Sequence, residues 1–388
     1  MKKTTSQIIA ILAITLSISA CKKDNTGENN ELKKAVVANY ATIVHANYND
    51  ALAKAEVLKT KIDDFVAAPT QASLDAAKQA WLDARLPYGQ TEAYRFYSGP
   101  IDDDNGPEGL LNAWPLDEAY IDYVQGNATA GIINDTAAHP VISKQVIENL
   151  NEQGGETNVS CGFHAIEFLL WGQDFSASSA GNRPFTDYTT APNAQRRGAY
   201  LQACAALLVE HLDALVAAWA PSSTGNYRAS FESQNSDVAI KNIIQGIGFL
   251  TKGELAGERL EVAYDSQLQE DEHSCFSDNT HNDVRMNILG IQNVFLGSYQ
   301  TTAGSTISGS GIYDVLKLKD AAAADELKAK LEDSKTKCYA ISAPFDQQIV
   351  ASNTTGRAAV KAAIDALKLQ GDKLAAAAKN AGYDIVIE

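Results

Sequence analysis

The chain has 388 residues, 45% of them hydrophobic and 21% charged, and its 32 basic and 48 acidic side chains leave a formal charge of −16. This is the composition of a folded acidic protein, one large domain or two, and it excludes a disordered chain, a collagen, a coiled coil and a multi-span membrane protein. It also argues against nucleic acid as a partner, because phosphate backbones are bound through clustered Lys and Arg.

At the start of the chain Lys2 and Lys3 precede an apolar run, Ile8 to Ile18, that ends in Ser19-Ala20-Cys21. The run is too short to span a bilayer but has the charged start, apolar middle and small-residue exit of a secretory signal. Ile18-Ser19-Ala20-Cys21 resembles a bacterial lipobox, in which the cysteine becomes the lipidated first residue; ordinary cleavage near Ala20 is the alternative. Residues 1–20 are then a lipoprotein signal peptide, and 21–31 a polar tether holding the body off a membrane. Loss of Lys2 and Lys3 takes the mature charge to −18. Position 22 is Lys rather than Asp, which in lipoproteins of this kind favours the outer membrane, on its periplasmic or surface face.

From Leu32 to Val66 the apolar residues Val36, Tyr40, Ile43, Val44, Leu52, Leu58, Ile62 and Phe65 recur mostly at steps of three and four, which predicts a long amphipathic helix. Pro69 stops it, and Leu74, Ala77, Trp81 and Ala84 open a second helix that Pro87 kinks or ends. Gly99 to Pro115 reads as a loop, Val141 to Leu150 as a helix, and Gly154-Gly155 as a break. Further helices are predicted over Arg196–Trp219, Asp237–Leu250, Asn279–Tyr299, Ala321–Cys338 and Arg357–Asn380, with Thr302–Gly311 an exposed loop. Alternating strand patterns are nearly absent. The expectation is an all-α fold of two helical-bundle halves, 32–190 and 191–388. Beyond Cys21, the cysteines Cys161, Cys204, Cys275 and Cys338 allow zero, one or two disulfides, and no Cys-x-x-Cys pair points to a thiolate metal centre.

Two segments carry chemistry. In Cys161 to Gly172 a short apolar helix bears His164 and Glu167 at i and i+3, on one face, where the pair can share a cation or form a satisfied buried hydrogen bond. In Glu270 to Asp283, two histidines and five carboxylates lie within fourteen residues; Glu272, His273, Asp278 and His281 can complete a cation site begun by His164, or form a solvated acidic loop with Asp278 capping the next helix. Glu92, beside the aromatic Tyr94, Phe96 and Tyr97, is a third candidate.

Gly162-Phe163-His164-Ala165-Ile166-Glu167 matches the Gly-x-His-x-x-Glu motif of the imelysin family, and Glu272 to His281 resembles that family's second signature. Tyr94 to Asp102 and Asn112 to Tyr123 are similar to it as well, so the resemblance spans the chain from about Leu32 onward. It implies two helical bundles with the motif site between them, in an exported bacterial protein linked to iron uptake and historically classed as a metallopeptidase after an insulin-cleaving member. His164 and Glu167 are then the metal-motif positions and Gly162 the close-packing one.

The metallopeptidase reading meets a chemical objection. Zinc peptidases of the His-Glu-x-x-His type need a base beside the first ligand and a second ligand one turn on, yet positions 165 and 168 are Ala and Phe. Three readings follow: a lipid-anchored protein binding a divalent or ferric ion, iron or zinc, with the membrane and iron-uptake components as partners; a metallopeptidase; and a binding module in which the His/Glu pair is structural.

Overall fold

The computed structural model describes residues 26–221 and 223–387; Cys21, the signal segment and the start of the tether lie outside them. The long helices are α1 (Thr26–Ala67), α2 (Gln71–Thr91), α3 (Gly162–Trp171), α4 (Ala194–Ala218), α5 (Ser236–Phe249), α6 (Thr280–Leu296), α7 (Ile312–Lys319), α8 (Ala321–Ala340) and α9 (Thr354–Ala381). The fold is all-α, as its periodicities predict. α1 begins six residues before the predicted end of the tether, so 26–31 are helix rather than linker.

Its buried stripe, from Val36 and Val37 through Tyr40, Val44, Tyr48, Ala51, Ala55, Leu58 and Ile62 to Phe65, follows the helical period and faces α2 and α4. Thr70 opens α2 with a capping box: its hydroxyl accepts the Ser73 N–H, and the Ser73 hydroxyl accepts the Thr70 N–H. Pro87 lies inside α2, which nevertheless runs on to Thr91.

α1, α2, α3 and α4 form one bundle, and α5, α6, α8 and α9 the core of the other. The division falls after α4, near Ala218, and not at residue 190, because α4 packs against α1 and α3. α2 and α6 cross at the seam. Gly290 of α6 lies there against the Gln90 carbonyl, which an added Cβ would approach to 2.3 Å, and Gly89 of α2 faces Met286 in the same way at 2.8 Å. Without a Cβ at these positions the backbones come closer than side chains would allow.

Two elements differ from expectation. α5 does not stop at Leu250 but continues as a π-helical segment, Leu250–Glu261, and a last α-turn to Ser266; its π geometry brings Arg259 inward. The predicted loop 302–311 contains one side of a small ribbon, in which β1 (Ser298–Gln300) pairs antiparallel with β2 (Thr306–Ser308). Cys161, Cys204, Cys275 and Cys338 are all buried free thiols.

Candidate functional site

α3 is buried on every face, including His164 and Glu167, which are fully inaccessible. It starts at Gly162, whose φ of +88° suits glycine and whose absent Cβ leaves room for the Leu111 carbonyl; a Cβ would sit 2.7 Å from that oxygen. One turn on, His164 Nδ1 and Glu167 Oε2 are 2.8 Å apart. The other carboxylate oxygen of Glu167 accepts both the Ser277 N–H (2.9 Å) and the Ser277 hydroxyl (2.6 Å), so Glu167 ties α3 to the loop that precedes α6.

That loop brings His273 to His164, with ring centroids 4.7 Å apart. Its Nδ1 lies 3.0 Å from Asp283 of α6, which also accepts from the Ser274 hydroxyl (2.5 Å) and from Arg85 of α2 (2.9 and 3.1 Å). Burial alone would raise the Asp283 carboxyl, but Arg85 and His273 hold it well below the usual carboxylate range. An ionised Asp283 can only accept, so His273 carries its proton on Nδ1 and leaves Nε2 bare. Arg85 also donates to Asn112 (2.5 Å), whose side-chain amide reaches Glu92 at 3.4 Å. Glu92 in turn takes Arg95 (2.7 Å) and Arg259 (2.6 Å).

Burial lowers both His164 and His273, with neighbouring Arg side chains acting in the same direction, so both rings are neutral and able to bind a metal. Burial pushes Glu167 up to about 8, against the two Ser277 donors. The position of one proton therefore sets the state of His164. When Glu167 is ionised, Nδ1 donates and Nε2 presents a lone pair; when Glu167 is protonated, it donates to Nδ1 and Nε2 carries hydrogen. His164 Nε2 is buried and has no hydrogen-bond partner. Two imidazoles, each oriented through Nδ1 by a buried carboxylate, form the outer arrangement that holds metal-binding histidines in place. Both Glu167 oxygens are engaged, and through Oε2 the side chain orients His164.

His273 and Trp114 line a cleft of about 650 Å³ whose walls also carry Arg95, Arg259 and seven carboxylates, among them Glu108, Glu254, Glu258 and Glu270. Trp114 packs on the His164 ring at 5.0 Å between centroids. The other predicted site residues separate. Glu92 joins through Asn112 as a paired charge. His281 bonds the Asp278 carbonyl at 3.1 Å and makes no hydrogen bond to His164 or Glu167. The charges acting on Glu272 and Asp278 are chiefly those of Asp346 and Asp174, and neither side chain makes a hydrogen bond to His164 or His273. Asp278 does not cap α6, whose N-cap is Asn279 without a side-chain bond. Arg85 and Asn112 were not singled out by sequence reading, although an Arg four residues after Trp81 on a buried stripe is a signal.

The shifts make opposite contributions to pH stability. Glu118 and Asp278 are pushed up to about 7, by burial and then by Glu270 and Asp346 respectively. A carboxyl raised in the folded state binds its proton more tightly there, so acidification from pH 8 toward 5 stabilises. Glu92 is lowered to about 2 because Arg95 and Arg259 override its burial, so its contribution is full above the usual 4.5 and is lost as pH falls from 4.5 to 2. That loss is on the order of 3 kcal/mol. The lowered His164 and His273 act against the raised carboxyls between about pH 6.5 and 5, so the expected result lies below that range: denaturant midpoints of chelator-treated protein should fall as pH drops below about 4.5 and Glu92 protonates; unchanged midpoints between pH 4.5 and pH 3 would contradict this.

Comparison with known proteins bears on the whole chain. Iron-regulated protein A of Synechococcus elongatus is 28% identical over 341 residues, 86% of this chain and 82% of the relative. A crystal structure described as a candidate iron-regulated protein A precursor from Parabacteroides distasonis superposes with a TM-score of 0.67 at 20% identity, covering 89% of this chain and 95% of that one. An imelysin-like protein from Psychrobacter arcticum superposes with a TM-score of 0.63 at 13% identity, covering 92% and 97%. Both share the fold. The imelysin family model, of peptidase class M75, matches residues 44–374. That match takes in both bundles, the Gly162–Glu167 motif and the loop bearing His273, and the chain therefore belongs to the imelysin family.

Proposed function

We propose that this is an exported, lipid-anchored protein that binds an iron ion at His164 and His273 and takes part in iron capture or delivery at the cell envelope. The observation that carries the reading is the pair of adjacent neutral imidazoles, His273 lining an acidic cleft and His164 buried behind it, each with its Nδ1 side occupied by a buried carboxyl group. A buried, unpartnered Nε2 on His164 fits a metal ligand. Among the described residues no three His, Cys, Asp or Glu side chains stand at metal-holding spacing, so the remaining coordination positions fall to water or to ligands that arrive with the ion. Incomplete protein ligation suits reversible transfer. The cleft carboxylates raise the local concentration of cations at its mouth. Iron, which accepts both imidazole and oxygen ligands, is preferred over zinc because the relative from Synechococcus elongatus is an iron-regulated protein.

Elemental analysis of purified protein, followed by equilibrium dialysis of the chelator-stripped form against Fe(II) and Zn(II), tests the reading. Bound iron at about one ion per chain is expected, with peptide substrates left intact. No binding of either metal would overturn it, and chelator-sensitive peptide cleavage would replace it with the metallopeptidase reading. For the anchor, the native protein should fractionate with membranes, and Cys21→Ser should give an uncleaved or soluble form. A fully soluble native protein would refute that part.

A further inference from the structure

Of the eight buried carboxylates among the described residues, four are paired with arginine. Glu92 takes Arg95 and Arg259, Asp122 takes Arg183 and Arg197, Asp187 takes Arg183, and Asp283 takes Arg85. Glu167 has His164 and Ser277. Four carboxylates depart from this pattern: Asp174 just after α3, Glu272 and the half-buried Asp278 in the loop before α6, and Asp346 at the start of the one-turn helix Asp346–Ile349 ahead of α9. Glu272 is fully buried, yet neither of its carboxylate oxygens has a hydrogen-bond partner. Asp278 Oδ1 and Asp346 Oδ1 are also buried and unpartnered. The charges that act on Glu272 are those of Asp346, Asp278 and Asp174, all of its own sign. Asp174 is partly satisfied by the Ser176 N–H and the Gln269 amide and lies against Asp278, the Gln347 N–H acts on Asp346, and the Thr280 hydroxyl lies near Glu272, outside hydrogen-bond geometry.

Carboxylates buried together with fewer donors than oxygens repel one another and have lost most of their water, and such an arrangement is neutralised by a cation or by protons. Oxygen-only donors drawn from three separate segments, with no imidazole or thiolate, are the donor set of a hard cation. Calcium accepts six to eight oxygens in a flexible sphere completed by carbonyls and water, whereas magnesium demands a rigid octahedron. The geometry points to a second cation site, formed by Asp174, Glu272, Asp278 and Asp346 and selective for a calcium-type divalent ion, that clamps the loop before α6 to the end of α3 and to the turn at Asp346. No three of these side chains stand at ligating spacing in this structure, so they close on the ion as it binds. Because the clamped loop also carries His273 and Ser277, its occupation would hold the imidazole pair in register.

Chelator-treated full-length protein, titrated with calcium chloride, magnesium chloride or sodium chloride at matched ionic strength, provides the test. Calcium at millimolar levels should raise Tm by several degrees, magnesium less and sodium not at all, with about one calcium bound per chain in equilibrium dialysis. Asp346→Asn and Glu272→Gln should each weaken calcium binding by about tenfold or more. In chelator both variants should be at least as stable as the parent, since each removes a repelling charge, so misfolding will not obscure the result. His164→Ala should keep the calcium response, which separates this site from the proposed iron site. An equal calcium response in parent and both variants, or none beyond the salt control, would overturn the proposal. Stabilisation by acid alone, identical with and without calcium, would overturn it too and assign the cluster to shared protons.

Discussion

Arg85→Ala should lower unfolding stability by about 3–5 kcal/mol, the range for removing one partner of a buried ion pair. Arg85 is 2% exposed, gives two hydrogen bonds to Asp283 and one to Asn112, and lies over the Trp81, Tyr88 and Phe163 rings with its guanidinium carbon 5.0–5.6 Å from their centroids. Truncation leaves Asp283 buried with only His273 and Ser274, and it leaves Asn112 without a donor. Arg85→Lys should recover only part of the loss, because a single ammonium cannot reproduce the forked contact with Asp283 and Asn112 together. Chemical denaturation of the two variants, with Asp283→Asn and the Arg85→Ala/Asp283→Asn double variant, will measure the coupling. A loss below about 1 kcal/mol for Arg85→Ala would mean that the charge network contributes no more than an exposed pair does.

His164→Ala and His273→Ala should each weaken iron binding by more than about 100-fold, exceeding the 10–100-fold expected for Glu167→Gln, which leaves the ligand in place but loosens its orientation. Helix content should be unchanged. The same variants distinguish the structural alternative. If the His164–Glu167 contact serves only to pin α3 to the Ser277 loop, His164→Ala should cost about 1–3 kcal/mol, and iron should not raise Tm in the parent. Isothermal titration and thermal melts on one set of proteins separate the two outcomes. Parent-like iron affinity in both alanine variants would remove the imidazoles from the site.

Much of the helical framework was legible in sequence because its signal is local. The three- and four-residue recurrence from Val36 to Phe65 reports directly on which face of α1 is buried, and the Ala-rich composition of α8 and α9 reports on helix propensity. The continuation of α5 through a π segment was not legible, since Gly253 and Gly257 read as helix weakeners while what keeps the segment helical includes packing against α9. Where the bundles divide was likewise decided by packing: nothing in the periodicity of Ala194–Ala218 says that its buried face meets α1.

By itself the sequence determined that this is an acidic chain built of amphipathic helices, with His164 and Glu167 on one face of a short apolar helix and a second cluster of acids and histidines some hundred residues later. Only the tertiary structure decided how that second cluster divides. At Glu272 the backbone is extended, with φ −79° and ψ 142°, and successive side chains of an extended chain point to opposite sides. His273 therefore meets His164 and Asp283, while its neighbour Glu272 comes under the charges of Asp346 and Asp278. The Arg85 and Arg259 pairings, to residues 198 and 167 positions away, are set in the same way. Local periodicity fixes which face of an element is apolar, but which charges share a buried site depends on contacts between distant segments, and those exist only once the helices have packed.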